Sequence, residues 1–426
     1  MNKIVSLMIN VISFKIKQIS TKIFIVGMFL FILLGHCSDS FGQANGDYRS
    51  NVASGNWGVA ATWQKYNGST WAVATAAPAA ANNVTILSGQ TITMNGNPGA
   101  CNALTINGTL AFSQSRTLAV SGGLTVSGGT ISGSSTGIIN VAGTFTVPVS
   151  TTASIQRVTL TITGATTING SLTFATAATG TKSFYGLVTV NSGGSWACSV
   201  SPSFTFRGGI TNNGSFNAGA GTSTFNTNSQ SIGGSSALSF GGNVAISGTI
   251  TISNNNTVNI TSSLTGTVTG SAWINAANST LNIGSALLAT GTLTASANPN
   301  TVNYNGSIAQ TVKPTTYYNL GLSGSLVKTI TGLSSILNNF SLSGSASATT
   351  VSTLSIGGNL SVGGGTTLAT GTTSTYTLLV GGTTSVTGTL TLANTGLKTF
   401  SGDVIVNTGG VWNETAIAAI NMAGNL

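Results

Sequence analysis

The stretch Val386-Thr-Gly-Thr-Leu-Thr-Leu392 carries a pattern that returns along most of the chain. Its apolar residues and its glycine occupy positions of one parity, and its threonines occupy the other. Successive side chains of a strand point to opposite faces of a sheet. The pattern therefore predicts extended structure with one buried face and one face exposed to water.

Other copies of the pattern set its period. Strong copies begin at residues 106, 168 and 246, and a weaker copy occupies residues 289–295. The four strong copies start 62, 78 and 140 residues apart, close to multiples of about 20. So short a period is typical of a solenoid, whose turns are too small to bury a core alone. The glycine in each copy predicts a bend, where valine would strain the coil.

The chain from residue 81 to residue 426 reads as alternating segments separated by Gly-Gly, Asn-Gly, Ser-Gly and Asn-Asn. Turn residues every ~8–12 positions are typical of an all-β chain. The sequence predicts a right-handed parallel β-helix of roughly 17 turns, about 80 Å long at ~4.8 Å per turn. The alternative is a string of β-sandwiches, for which a period near 20 is too short, because one sandwich takes ~100 residues.

A longer repeat overlies the short one. Residues 180–196 return 216 residues later as residues 396–412, with Lys182 matching Lys398 and Trp196 matching Trp412. The second copy stops at Leu426, where the first continues. The sequence thus predicts a chain truncated at its C-terminus.

Residues 1–44 are typical of an export signal. Four lysines precede an apolar run at residues 23–35, which is too short to cross a bilayer that needs about 20 residues. The small-x-small site ending at Ala44 predicts cleavage there. A lipoprotein anchored at Cys37 is the alternative, which His36 disfavours. The mature chain is predicted to have no membrane span and to be secreted or attached to the cell surface.

The charged residues exclude some classes of function. Beyond residue 44 the chain has nine Lys or Arg, three acids and no basic cluster. A nucleic-acid site needs a concentrated basic stripe, so only weak attraction to anionic polysaccharide or lipopolysaccharide is predicted. The isolated lysines, among them Lys182, Lys313 and Lys328, are predicted to be solvated turn residues.

Side chains that commonly perform catalysis are rare in this sequence. Between Tyr48 and Gly402 there is no Asp or Glu, and the only histidine lies in the export signal. Glycoside hydrolysis uses a carboxylate pair, calcium prefers several carboxylates, and zinc needs its own ligand set. A Ser–Lys pair with one of the isolated lysines stays as a formal alternative. The chain is predicted to be non-enzymatic and to bind no metal or cofactor.

Cys101 and Cys198 remain after signal cleavage. They are 97 residues apart, about five turns at the inferred period. At roughly 4.8 Å per turn they lie too far apart for a bond that needs Cα atoms within ~7 Å. Two unpaired, mostly buried thiols are predicted.

Residues 45–80 are rich in aromatic side chains, including three of the six tryptophans. One reading is an N-terminal cap, because large side chains cover the open end of a solenoid. The other is a carbohydrate-binding platform in which Trp63, Tyr66 or Trp71 stacks on a sugar ring.

Thr-x-Thr pairs raise a further hypothesis. They lie at 91/93, 159/161/163, 249/251, 292/294 and 389/391. Stacked on a flat face, such pairs resemble the surfaces of ice-binding solenoids. The alternative is that threonine is simply a favoured residue at the outward positions of strands.

Residues 301–312 lead into Tyr317-Tyr-Asn-Leu320, and a degenerate copy of this motif occupies residues 224–232. With the tryptophan-rich opening, these motifs resemble the large secreted repeat proteins of gliding-type Gram-negative bacteria, many of them exported by the type IX route. The resemblance covers most of residues 45–426 through low-complexity motifs. Such proteins typically end in a sorting domain, which this sequence does not show.

The resemblance implies structural and adhesive roles at the cell surface and supplies no functional residues. An extracellular non-catalytic scaffold, or adhesin-like stalk, is therefore favoured. The alternative is the carbohydrate-binding module, whose partner would be a polysaccharide or a cell-surface glycan. For a chain that ends at Leu426, self-association through the open C-terminal end is predicted.

Overall fold

The computed structural model describes residues 42–96, 99–133, 137–174, 179–372 and 375–426. The chain divides into two compact units: one takes in residues up to Asp47 and Tyr66–Thr70, and the other takes in Tyr48–Lys65 and Trp71–Leu426. Most of the predicted export signal, with His36 and Cys37, lies outside the described residues.

The larger unit is a parallel β-solenoid built from five sheets, here named A to E. Sheet A contains Tyr48–Ser50, Trp63–Tyr66, Trp71–Val73, Val84–Ile86, Leu104–Ile106, Leu124–Val126, Phe145–Val147, Thr166–Ile168, Val188–Val190, Ile210–Asn212, Gln230–Gly233, Thr251–Asn254, Ala272–Asn275 and Thr292–Thr294. Sheet C contains Gly99–Cys101, Thr117–Val120, Gly137–Val141, Val158–Ile162, Lys182–Phe184, Phe204–Phe206, Ser223–Asn226, Val244–Ser247 and Leu264–Gly266.

Sheet B runs through the whole solenoid. Its strands are Ser54–Asn56, Thr91–Met94, Thr109–Phe112, Thr130–Gly133, Thr152–Ile155, Ser171–Phe174, Ser195–Cys198, Ser215–Asn217, Leu238–Phe240, Thr257–Ile260, Thr280–Ile283, Thr301–Tyr304, Asn319–Leu322, Phe340–Leu342, Leu360–Val362, Thr384–Val386 and Val404–Val406. Seventeen strands correspond to about 16 turns, so the predicted all-β parallel solenoid is confirmed with one turn fewer than expected. Its right-handedness and its N-terminal cap stay predictions.

Sheets D and E complete the later coils. Sheet D contains Ser335–Ile336, Leu354–Ile356, Leu378–Val380, Lys398–Phe400 and Ile420–Met422. Sheet E contains Gln310–Val312, Ser325–Ile330, Ser345–Thr350, Thr367–Thr370, Thr389–Leu392 and Val411–Glu414. The short 3-10 helix described is Ala60–Thr62. From Val84 onward, paired residues on neighbouring coils lie 18 to 24 positions apart, as at Thr301 and Asn319 or at Ile356 and Val380.

The core follows the alternation of the sequence. In the strand Val84–Ile86 both end residues are buried and the central Thr85 is half-exposed, and most later strands repeat this order. Large side chains fill the coil interior in layers. Trp196 is fully buried, and its ring centroid lies 5.0 to 5.3 Å from those of Phe174, Phe184, Phe204 and Phe216.

Glycines at three copies of the repeat pattern let one coil lie on the next. Asn169 and Gly170 both donate their backbone N–H to the carbonyl oxygen of Val147 on the preceding coil, at 2.9 and 3.2 Å. A Cβ at Gly170 would overlap the carbonyl oxygens of Pro148 and Thr151. Gly108 and Gly388 have the same arrangement, which confirms the predicted bend.

The fourth strong copy needs its glycine for another reason. Gly248 has a φ of +93°, in the left-handed region that favours glycine, and open space surrounds the position of a Cβ. The four copies also occupy different corners of the coil. Those at Gly108 and Gly170 join sheet A to sheet B, that at Gly248 joins C to A, and that at Gly388 joins B to E.

The regular ladders change at residues 284–336, here called the seam. Sheet A ends at Thr292–Thr294, and its column reaches sheet D only through single bridges at Tyr317. Side chains add to the backbone contacts there: the Tyr304 and Tyr317 hydroxyls lie 2.9 Å apart, and the Tyr317 hydroxyl donates to the carbonyl oxygen of Lys313 at 2.6 Å. Sheet B continues through the seam without a break.

The two remaining cysteines are free and buried, as predicted. Burial raises the pKa of the Cys101 thiol to about 12 and also raises that of Cys198. Both side chains therefore act as small apolar residues of the core.

Candidate functional site

Trp63, a predicted sugar-stacking residue, lies in the core. Its side chain is 0% exposed, and its Nε1–H donates to the carbonyl oxygen of Trp57 at 2.8 Å. The two indole rings pack edge to face with centroids 5.2 Å apart. Because stacking on a sugar needs an open ring face, Trp63 does not fit that role in this structure, and its aromatic surface stabilises the fold instead.

The other two predicted aromatics are half-buried and lie in different units. In the larger unit, the Arg49 guanidinium lies over the Trp71 ring, 4.4 Å from its centroid. Arg49 Nε also donates to Gln64 Oε1 at 2.7 Å, so the cation is held over that ring. Tyr66 belongs to the smaller unit. Carbohydrate binding through Tyr66 and Trp71 stays a prediction.

The acids of the larger unit, Asp403 and Glu414, line one cavity of about 790 Å³ on the last coils. Both carboxylates accept hydrogen bonds within the chain: Asp403 from the backbone N–H of Asn425 at 2.8 Å, and Glu414 from Trp412 Nε1 at 2.9 Å. Apolar side chains such as Val406 and Met422 complete the lining and are partly exposed. Self-association through this face stays a prediction.

The prediction that the isolated lysines are solvated turn residues is wrong for Lys182 and Lys328, which are 0% exposed. Lys182 Nζ donates to the carbonyl oxygens of Val158 at 2.6 Å and Gly180 at 2.5 Å. Lys313 is half-buried, and its Nζ also donates to backbone carbonyls. Their ammonium groups satisfy carbonyls at the corners, so no Ser–Lys pair forms among these lysines.

Glutamine takes the same inward position elsewhere. Gln230 Nε2 donates to the carbonyl oxygens of Phe206 at 2.9 Å and Asn226 at 3.1 Å. At the seam, Lys328 Nζ donates to Gln310 Oε1 at 2.7 Å, so the two side chains link neighbouring coils. The buried Lys398 also donates to carbonyl oxygens. These corner-capping side chains pair carbonyls that burial would otherwise leave unsatisfied.

Lys182 makes stability depend on pH. Burial lowers the pKa of its ammonium from 10.5 to about 8, although the nearby Cys198 acts to raise it. Between these values the unfolded chain holds a proton that the folded chain has released, so the free energy of unfolding rises with pH. Relative to Lys182→Gln, the wild type should gain up to about 3 kcal/mol across this window.

Denaturant titrations of both proteins below pH 8 and at pH 10.5 measure this gain. Other titrating groups are common to the two proteins, so the difference isolates Lys182. Glutamine is the suitable replacement because Gln230 already performs the same bonding in this chain. A stability difference that stays constant with pH would contradict the prediction.

The surface charge that remains is uneven. Arg49, Lys65, Arg116, Arg157 and Arg207 are at least partly exposed. Over the described residues from 208 to 402, no other cation than the half-buried Lys313 reaches the surface. The charge available for the predicted attraction to anionic polysaccharide therefore lies in the N-terminal half.

The Thr-x-Thr pairs do not form one face. Thr91 and Thr93 lie on sheet B, Thr159 and Thr161 on sheet C, and Thr389 and Thr391 on sheet E. A different set of threonines is aligned on sheet A, one on each of seven successive coils, and is here called the threonine row: Thr85, Thr105, Thr125, Thr146, Thr167, Thr189 and Thr211.

The threonine row was identifiable in the sequence as the repeated triplet apolar-Thr-apolar. Val84-Thr-Ile86, Leu104-Thr-Ile106 and Leu124-Thr-Val126 are its first members. All seven threonines are half-exposed, and each points outward from its strand. Their flanking residues point inward, so the sheet presents one threonine per coil at the spacing of about 4.8 Å between parallel strands.

Comparison of the chain with protein-family models, curated proteins and solved structures found no match. Within the described residues, no three His, Cys, Asp or Glu side chains lie together where they could hold a metal ion. The same part of the chain contains no helix with the length and apolar character needed to cross a membrane.

Proposed function

We propose that this chain is a non-catalytic scaffold, the β-solenoid stalk of an exported protein with a structural or adhesin-like role at the cell surface. The observation that carries the proposal is the continuity of sheet B. Its strands pair in parallel register from Ser54–Asn56 to Val404–Val406, over a filled apolar core. A ladder of this length spans roughly 75 Å at about 4.8 Å per coil.

The interior supports the same proposal. Neighbouring coils are connected by backbone bonds, aromatic contacts and amide ladders, as where Asn303 Nδ2 donates to Asn282 Oδ1 and Asn282 Nδ2 to Asn259 Oδ1, both at 2.7 Å. Repeats that contact only their neighbours give an extended body whose length follows from their number. Such a body suits a spacer that holds other surfaces away from the cell.

Small-angle X-ray scattering and a turnover assay test this proposal. The full chain is expected to give a rod-like profile with a maximum dimension of at least about 75 Å. It is also expected to release no product from a panel of polysaccharides. A globular profile, or turnover that disappears in Asp403→Asn or Glu414→Gln, would overturn the proposal.

The second part of the proposal is that the protein is exported, and the predicted export signal at residues 1–44 supports it. Its lysines, its short apolar run and the site ending at Ala44 are the supporting features. Expression in a Gram-negative host followed by fractionation and N-terminal sequencing tests it. Secreted or surface-attached protein beginning at Asn45 is expected, whereas an intact leader on cytoplasmic protein would contradict it.

Ice binding is a second candidate function, favoured by the threonine row. Seven methyl- and hydroxyl-bearing side chains in one line provide a regular array on an otherwise uncharged strip of sheet A. A regular array can order water where scattered threonines cannot. The row has no counterpart of equal length among the Thr-x-Thr pairs.

A substitution in the threonine row tests ice binding. Thr125 lies near the middle of the row, so Thr125→Tyr is expected to reduce thermal hysteresis by about half or more, since a bulky ring interrupts the flat array. Thr205→Tyr, an outward position on sheet C, is the matched control and should retain the activity. Absence of thermal hysteresis in the wild type, or equal loss in both variants, would exclude ice binding through this row.

A further inference from the structure

A shallow groove of about 440 Å³ crosses four successive coils on the outer face of sheet B. Its floor is Gly321, and its sides include Asn319, Asn339, Ser341 and Asn359. We propose that this groove binds an uncharged polysaccharide, with the chain of the glycan lying along the solenoid axis.

The groove exists because an outward row of side chains is interrupted. On sheet B, Asn303 pairs in register with Gly321, which pairs with Ser341, which pairs with Ser361. Glycine leaves the second of these positions without a side chain of its own, so Oδ1 of Asn303 lies where a Cβ would stand. A Cβ there would collide with Oδ1 of Asn303, so even alanine would reduce the depression.

An amide ladder ends at the groove. Through the 2.7 Å bonds from Asn303 to Asn282 and from Asn282 to Asn259, each amide polarises the next. The Oδ1 atom of Asn303 is the last acceptor of this series, lies beside Gly321 at the edge of the groove, and accepts no hydrogen bond from a described residue. It is therefore placed to accept a hydrogen bond from a ligand hydroxyl.

Donors stand on the opposite side of the groove. Oδ1 of Asn339 accepts from the backbone N–H of Asn359 at 2.9 Å, and Oδ1 of Asn359 accepts from that of Thr383 at 2.9 Å. These bonds fix the amide orientation and leave each Nδ2 group without a partner among the described residues. Both asparagines are exposed, so their N–H donors are available to a ligand.

The composition of the groove selects the ligand class. None of its lining residues carries a charge, and it lies in the half of the chain whose described surface is almost free of charge. Asparagine amides and serine hydroxyls pair well with sugar hydroxyls, whereas a polyanion would find no cation here. Four coils span about 14 Å, which suits a short stretch of a chain ligand.

Co-sedimentation of the full chain with cellulose, chitin and insoluble β-1,3-glucan tests the inference, with cross-linked pectate as the polyanion. The wild type is expected to sediment with at least one neutral glycan. Ser341→Arg, an exposed position, fills the groove and should weaken that binding by about tenfold or more. Ser239→Arg, a half-exposed outward position on sheet B five coils before Ser341, is the matched control and should bind normally.

Gly321→Asn provides a second variant. Its amide would stand next to Asn303, where it would extend the amide ladder by one coil and fill the groove. Circular dichroism verifies that each variant folds. Binding to pectate alone, sedimentation with none of the neutral glycans, or unchanged binding in both Ser341→Arg and Gly321→Asn would overturn the inference. The scaffold proposal is judged separately by scattering and turnover, so the two can fail independently.

Discussion

Valine in place of Gly170 is expected to lower the free energy of unfolding by more than about 4 kcal/mol. The added side chain would overlap the carbonyl oxygens of Pro148 and Thr151, and neither belongs to a flexible side chain. The coils would have to separate at this corner. The 2.8 Å bond from the Ser171 N–H to the Thr151 carbonyl, and the bonds to Val147, would then be lost.

Gly233→Val is the matched control for this change. Gly233 lies in the strand Gln230–Gly233 with open space around its Cβ position and without a left-handed φ. Valine is favoured in strands, so the control should be neutral or slightly stabilising. Guanidinium titrations followed by circular dichroism measure both variants. Equal midpoints for Gly170→Val and the wild type would show that the coils do not meet as described.

Alanine in place of Trp196 is expected to cost about 3–5 kcal/mol, because it removes a fully buried indole. Four phenylalanine rings surround that indole, so its loss opens a cavity that strands on two sheets cannot close. The same titrations measure the cost. The long repeat places Trp412 at the equivalent position, where the ring is only partly buried, and Trp412→Ala should cost less.

Trp196→Phe separates packing from hydrogen bonding. The Nε1 atom of Trp196 has no hydrogen-bond partner in the structure, so phenylalanine forfeits no bond. The cost is expected to be smaller than that of the alanine variant, because phenylalanine leaves a smaller cavity. A loss as large as that of the alanine variant would mean that the indole nitrogen matters in a way that packing does not explain.

The alternation of the sequence was sufficient to predict the strands, the period and the free cysteines. Val386, Leu390 and Leu392 are buried as their parity indicates, and Thr389 and Thr391 point outward. This part of the fold is encoded locally, because the face of each side chain depends only on its position in the strand. The glycine at the bend of each copy can likewise be recognised from the local sequence.

The buried lysines could have been predicted from the same parity. Lys182-Ser-Phe184 and Lys398-Thr-Phe400 place lysine on the inward parity, as Gln230-Ser-Ile232 and Gln310-Thr-Val312 place glutamine. Charge alone led to the opposite prediction, since lysine is rarely buried without partners. The partners are backbone carbonyls one coil earlier, about 20 residues away in the sequence, and only the fold identifies them.

The corner of the coil that each copy of the repeat pattern occupies could not be predicted from the sequence. From Val84 onward the coils vary between 18 and 24 residues, and extra residues are taken up mainly in the turns. Copies of one motif therefore occupy three different corners. The groove depends on this register too, because Gly321 opens a depression only where it stands between Asn303 and Ser341 in neighbouring coils.

The seam has a mechanical consequence. Between Val84 and Gly266 the described strands of neighbouring coils are connected by three backbone ladders, but at the seam sheet A ends, sheet E begins, and sheet B is the one that continues unbroken through the described residues. Tension applied along the solenoid would be carried there by two ladders, that of Thr301–Tyr304 with Asn319–Leu322 and that of Gln310–Val312 with Ser325–Ile330, with side-chain contacts such as the tyrosine pair. Extension should therefore begin at the seam and leave two shorter solenoids that still hold their cores, so the solenoid would lengthen in a step before either half unfolds.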